Sequence, residues 1–395
     1  MFLQIFCVLF LIPAAFVAVY YAFLAIYALI ARRDDVLVDE KPKHTFAIVI
    51  PAHNEEQSIS NTLKSCADLD YPNEKYKVFV IADNCTDRTA EISRKNGPTC
   101  LERFDEEKKG KGFALEWGFQ QILHEGYDAV VVLDADCQLD RNALWAFNYY
   151  LERGDRVLQA NNAASNPDEN AISYAVAVGN VIENRLFYAP KSKLGLAVFL
   201  RGTGMVFQRK VMEQYPWQAH SVVEDVEYTL NLIRKGIKVT FLDEVNISSE
   251  FPVEEDQLQV QRMRWARNIR FSKTQALKLI FEGFLKGKGL LIDAGWTLLV
   301  LSRPLILLEL FITVILGLLC IWLFPGSFSN MLLLIGLILV LIQGLYFGIG
   351  ILLLGVNGRR LALLLKSTAT ILRLILISLM GAFRGKKEIW ARTPR

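Results

Sequence analysis

Two stretches without a charged side chain, Met1–Ala31 and Met331–Gly355, restrict this chain more than any other feature. About 20 apolar residues are enough to cross the hydrocarbon core of a bilayer as a helix. Met1–Ala31 is too long for a signal peptide and has no basic segment at its start. Arg32 and Arg33 follow it directly, and Arg359 and Arg360 follow the later stretch, so both flanks are expected on the cytoplasmic side. A further span is expected between Leu305 and Phe324; it carries Glu309, and an intramembrane carboxylate is a functional candidate. Leu361–Phe383 bears Lys366, Thr370 and Arg373 at helical spacing, a polar stripe that suits an interfacial helix or a span facing other helices. The basic tail Arg384–Arg395 favours the interfacial reading.

Hydrophobic residues make up 52% of the 395, concentrated at the two ends, and charge returns between roughly Arg32 and Lys288. The expected organisation is an N-terminal transmembrane helix (1–31), a cytosolic domain (32–256), amphipathic interface helices (257–290), a C-terminal membrane region of two or three spans (291–383) and a basic tail (384–395). The six cysteines show no paired spacing, which argues against a disulfide framework or a zinc site and fits a reducing compartment.

Within the middle region, Asp128–Asp136 is Asp-Ala-Val-Val-Val-Leu-Asp-Ala-Asp. An unbroken aliphatic run reads as a strand buried on both faces, the habit of a central parallel strand in an α/β sheet. It ends in Asp134 and Asp136, and ligands collect at the carboxyl ends of such strands. Two hard carboxylates two positions apart suit Mg²⁺ or Mn²⁺ on a diphosphate. The simpler alternative is that Asp136 caps a helix beginning near Leu139.

Other strand ends repeat the pattern. Phe46–Ile50 is a strand running into Pro51-Ala52-His53-Asn54-Glu55, with a helix over Glu55–Cys66. Lys77–Ala82 is a strand ending at Asp83, with a helix over Arg88–Lys95. Lys111 and its neighbouring glycines precede a helix over Phe113–Leu123, an arrangement able to hold an anion. Gly202, Thr203 and Gly204 form a turn that lets backbone approach a ligand. Ser221–Leu232 carries Glu224 and Asp225 at the start of a helical pattern in Val226, Leu230 and Ile233, and Val239–Leu242 is a further strand. From Gln257, the residues Arg262, Arg264, Arg267, Arg270, Lys273 and Lys278, interleaved with apolar ones, read as an amphipathic helix on an anionic leaflet.

In this order, the Pro51–Glu55 segment, Asp83, Asp134-Ala-Asp136, Glu224-Asp225 and Gln261-x-x-Arg264-Trp265 resemble the membrane-bound family 2 glycosyltransferases, the group of cellulose, chitin, hyaluronan and poly-N-acetylglucosamine synthases. The resemblance runs from about Phe46 to Asn268. The chain departs from it at Asn268, where members often carry Gly.

The resemblance implies a GT-A fold and an inverting transfer from a UDP-sugar, UDP-GlcNAc or UDP-Glc first. Pro51, Ala52, Asn54, Glu55, Asp83, Lys111 and Asp134 would bind the nucleotide sugar, and Asp136 would hold the Mg²⁺ or Mn²⁺. Asp225 would be the general base, with Glu224 beside it. The 202–204 turn, Gln261, Arg264 and Trp265 would face the diphosphate and the acceptor. A growing β-linked polysaccharide at the cytoplasmic face of the cell membrane is the first expectation for the acceptor. A lipid or lipid-linked glycan is the second, because the membrane region is small. Membrane lipid and an accessory membrane subunit are expected partners, and nucleic acid is not.

Overall fold

The structure is a computed structural model that describes residues 2–31, 41–266, 269–300 and 303–383, without the side chains of 264–272 and 381–383. The Arg32–Arg33 flank, Arg267, Asn268 and the basic tail lie outside the described residues.

Eight strands form one mixed sheet: β1 (Phe46–Ala52), β2 (Tyr76–Asp83), β3 (Thr99–Arg103), β4 (Ala129–Val132), β5 (Cys137–Leu139), β6 (Val157–Ala164), β7 (Met205–Gln208) and β8 (Thr240–Ser249), in the order β3-β2-β1-β4-β7-β6-β8-β5. The first four in space run parallel. β7 runs antiparallel to both β4 and β6. β1 and β4 lack polar alternation because both faces are covered: Ala47, Val49, Val130 and Val132 enter one core, and Phe46, Ile48, Ile50, Ala129 and Val131 enter the other.

The strand expected over Asp128–Asp136 pairs only through Val132, and Asp134–Asp136 lies in the turn beyond it. Cys137–Leu139 then pairs antiparallel with Ile247–Ser249, so no helix begins near Leu139; the helix starts at Ala143. Asp136 is therefore not a helix cap. After β1, Asn54 takes φ +57° and the chain turns through Ser58, which delays the expected helix from Glu55 to Ile59. β3, β6 and β7 were not anticipated; each is short or carries polar residues in place of an aliphatic run.

Among the described residues, three helices are long and apolar enough to cross a membrane: Phe2–Ile30, Arg303–Leu323 and Ser327–Leu354. The ambiguous C-terminal stretch breaks at Ser367 into Gly358–Lys366 and a second helix from Thr368, bent by 44°. Its polar stripe has a partner, since Arg373 donates to Gln259 (2.9 Å) and pairs with Glu255 on the helix Glu255–Ala266.

The N-terminal helix is continuous with the core beneath the sheet: Val17, Tyr21 and Leu24 pack in the same cluster as Val130 and Phe207. A buried polar knot lies at that junction. Lys191 pairs with Asp293 at 2.9 Å, and Asp293 also accepts from the Tyr20 hydroxyl (2.7 Å) and the Ala197 amide (2.7 Å).

Candidate active site

The loops after β1 and β2 are tied together. Asn54 accepts from the Thr86 amide (2.7 Å), the Glu55 amide donates to Thr89 Oγ1 (2.7 Å), and His53 Nδ1 lies 2.7 Å from the Asp83 carbonyl. Pro51 and Ala52 end β1 directly beneath. Asp83 is 5% exposed and accepts from Arg103 Nη1 at 2.5 Å. Burial raises its carboxyl above the usual range, and Arg103 opposes that. Arg103 also donates to Asp105 and to the Lys108 carbonyl, so it braces the loop leading to Lys111. It escaped the sequence reading along with β3.

Lys111 begins the helix Lys111–Ile122, and its ammonium joins Asp134 to the Gly202 carbonyl (2.8 Å). Burial disfavours that charge, but Asp134 and then Glu224 and Asp225 outweigh burial and hold the ammonium above its ordinary pKa. The 202–204 turn closes over the end of β4: the Asp134 amide donates to Thr203 Oγ1 (3.1 Å) and the Gly204 amide to the Val132 carbonyl (2.8 Å). Gly202 has φ +80°, and a Cβ there would lie 3.5 Å from Lys111 Nζ and 3.6 Å from Asp225 Oδ2. The turn therefore stands between the lysine and the carboxylate.

Glu224 and Asp225 start the helix Glu224–Arg234, as expected. Burial, then the charge of Asp225, push the Glu224 carboxyl up to about 8 against the pull of Lys111. Asp225 is also raised, chiefly by burial; the Val226 amide at 2.7 Å, Lys111 and Arg201 restrain the shift. Both carboxyls are therefore drawn toward their protonated forms, burial being the first cause in each.

Carboxylate oxygens of Asp134 and Asp136 and the Cys137 sulfur all lie within 4.8 Å of one another. Burial, then Asp136 and Asp134, raise the Cys137 thiol well above its usual pKa, and hard cations such as Mg²⁺ and Mn²⁺ take oxygen donors in preference to sulfur. The remaining donors are two hard carboxylates, which fit Mg²⁺ or Mn²⁺ and not a soft metal.

These residues line one end of a cleft of about 2360 Å³. Gln261 lies on its wall; Arg264 and Trp265 belong to the same helix, but their side chains lie outside the described residues. The rest of the lining is mostly apolar, with Phe10, Val17, Leu305, Ile312, Phe347 and Leu374 from the membrane helices, and it includes Glu309. Glu183, Arg201, Arg262 and Arg303 line the same cleft. Sequence reading missed the roles of Glu183, Arg201 and Arg303, which lie in three separated stretches with no shared motif.

Residues 42–268, more than half of the chain, match the family described as glycosyltransferase like family 2. A beta-monoglucosyldiacylglycerol synthase of Nostoc sp. is 28% identical over 231 residues, covering 56% of this chain and 48% of that one. A poly-beta-1,6-N-acetyl-D-glucosamine synthase of Staphylococcus aureus is 25% identical over 253 residues, covering 60% of this chain and 57% of that one. The match thus spans about half the length of these curated relatives. Among solved structures, a mannosyltransferase from Pyrobaculum calidifontis in complex with GDP-Man and Mn²⁺ has a similar fold: TM-score 0.55, 16% identity, 95% of this chain and 99% of that one covered.

Proposed function

The chain is an enzyme belonging to the glycosyltransferase like family 2 with a GT-A fold, and from that premise we propose that it moves a sugar, with inversion, from a UDP-sugar onto an acceptor hydroxyl at the cytoplasmic membrane face. The observation that carries this is the single cleft lined both by Asp225, Lys111, Asp134 and Asp136 and by the membrane helices. Asp225 takes the acceptor hydroxyl's proton as the anomeric carbon is attacked; a carboxylate with a raised pKa suits that work near neutral pH. Glu224 lies beside it with its carboxyl pushed up to about 8. Lys111 keeps Asp134 oriented, and Pro51, Ala52, Asn54, Glu55 and Asp83 form the nucleotide side. The Gly202–Gly204 turn, Gln261, Arg264 and Trp265 serve the diphosphate and the acceptor. A Mg²⁺ or Mn²⁺ held by Asp136 with Asp134 would offset charge developing on the departing diphosphate.

The apolar wall favours a lipid or lipid-linked acceptor, and UDP-GlcNAc or UDP-Glc would be the first donors to try. Growth of a β-linked polysaccharide is the second reading. The cleft volume favours it, about 2360 Å³ against roughly 300–1,000 Å³ for an ordinary ligand pocket.

The test is the purified full chain given a panel of UDP-sugars with lipid or glycan acceptors, with products sized by mass spectrometry. Asp225→Asn is expected to lose about 10²- to 10⁴-fold in transfer, the usual worth of a general base, while UDP binding persists. A normal transfer rate in that variant overturns the base assignment, and undiminished transfer in a chelator overturns the metal assignment. A ladder of products in place of a single addition selects the polymer reading.

A further inference from the structure

The middle of the cleft holds a cluster that the transfer chemistry leaves unused. The segment Ile182–Tyr188 is a π-helical turn, a feature found frequently at functional sites. It presents Glu183 to the cleft, while Asn184 is buried behind it. Arg201, one residue before the Gly202 turn, bonds Glu183 at 3.1 Å and also engages Asn184. Arg303, at the first residue of a membrane span, reaches the same Glu183 with both terminal nitrogens, at 3.2 and 3.1 Å. Arg262 lies in the same field. Burial, together with Arg303 and Arg201, draws its pKa down to about 10, and Glu183 only partly offsets this.

Arg201 and Arg303 therefore share one carboxylate in a place with little water, where the side chains of Arg201, Arg303 and Glu183 are 18%, 15% and 16% exposed, and Arg262 lies within electrostatic reach of all three. Positive charge left over in such a site favours an anion. A guanidinium has five N–H donors, so holding Glu183 leaves Arg201 and Arg303 with donors for a second acceptor, and planar forks match phosphate oxygens. The position decides which anion. On one side Arg201 is close enough to Asp225 to lower its pKa, and on the other the wall turns apolar with Leu305 and Phe10.

We propose that Arg201, Arg262 and Arg303 form a seat for the phosphate of a membrane lipid whose headgroup carries the acceptor hydroxyl, so that the acyl chains lie against the membrane helices and the hydroxyl faces Asp225. The proposal rests on Asp225 as the base and names the acceptor class for that reading: an anionic lipid with a free hydroxyl, as distinct from a neutral diacylglycerol.

The experiment measures lipid binding and sugar transfer separately on the full chain in phosphatidylcholine nanodiscs. The added lipid is phosphatidylglycerol in one arm and diacylglycerol in the other. Wild type is expected to bind and glycosylate phosphatidylglycerol in preference to diacylglycerol. Arg262→Gln is expected to weaken phosphatidylglycerol binding by roughly tenfold or more, the effect of removing one charge-assisted hydrogen bond, while UDP binding measured by calorimetry is unchanged. Arg262→Lys keeps the charge, serves as the folding control and is expected to recover part of the binding. No preference for phosphatidylglycerol in wild type overturns the proposal. So does a parallel loss of UDP binding in Arg262→Gln, which would assign the cluster to the donor diphosphate. If anionic lipid binds through the arginines but no UDP-sugar is transferred to any acceptor, the seat stands and the catalytic reading fails.

Discussion

Glu224 and Asp225 are neighbours on one helical turn, and burial draws both toward their protonated forms. Glu224 faces Asp225, Asp134 and Lys111 from a buried position, and its carboxyl titrates near 8 instead of 4.5. A folded-state pKa above the unfolded value stabilises the fold below the unfolded pKa, and that contribution is lost as pH rises through the folded one. The metal-free, donor-free protein is therefore expected to lose melting temperature between about pH 4.5 and about pH 8. Glu224→Gln should reduce that slope, since glutamine cannot ionise; Asp225, shifted in the same direction, keeps the slope from vanishing. Melting curves of the two proteins across that range check it, and an identical slope in the variant rules the assignment out.

At the scale of elements, the site depends on how tightly the turn after Leu200 can close. Gly204 has φ +65°, and an added Cβ would come within 2.6 Å of Ile247 Cγ1 on β8 and 3.0 Å of Ala160 on β6. Gly204→Ala is expected to destabilise the protein by about 1 kcal/mol or more, because it combines an unfavourable backbone conformation with overpacking. Gly179 in the helix Ala171–Val181 is the contrast: its backbone is helical, and a methyl group added there would meet no atom within 4 Å. Gly179→Ala should be neutral or stabilising by about 0.5–1 kcal/mol. Chemical or thermal unfolding of both variants in detergent measures the difference, and equal effects would contradict the packing account.

For the molecule as a whole, the question is what fixes the catalytic sheet to its membrane helices. The Lys191–Asp293 pair is a buried polar link at that junction, tied to the N-terminal span through Tyr20, with side chains 0% and 10% exposed. Burial lowers the Lys191 pKa and Asp293 opposes that, as expected for a desolvated pair. Lys191→Met leaves a buried carboxylate without its cation and should cost about 3–5 kcal/mol. Replacing both partners, Lys191→Met with Asp293→Leu, should recover most of that loss, since an apolar pair of similar size is often neutral. Melting temperatures of the single and double variants test this, and a double variant no better than the single one argues against it.

The amino-acid order by itself determined the membrane spans, the buried central strands and the carboxylates at their ends, because each of these follows from local composition and periodicity. Uncharged stretches of that length suit helices that cross a bilayer, and the aliphatic run before Asp134 suits a strand covered on both sides. The pairing of Glu224 with Asp225 was legible for the same reason, being adjacent in the chain. What the tertiary structure decided is which distant groups meet. Arg103 reaches Asp83 because β3 lies beside β2, and Lys111, Asp134 and the Gly202 carbonyl meet from three separate stretches of chain. Glu183, Arg201 and Arg303 come together from a π-helical turn, a loop and a membrane helix. No spacing rule connects such positions, since their proximity is a property of sheet order and helix packing and not of the residues themselves.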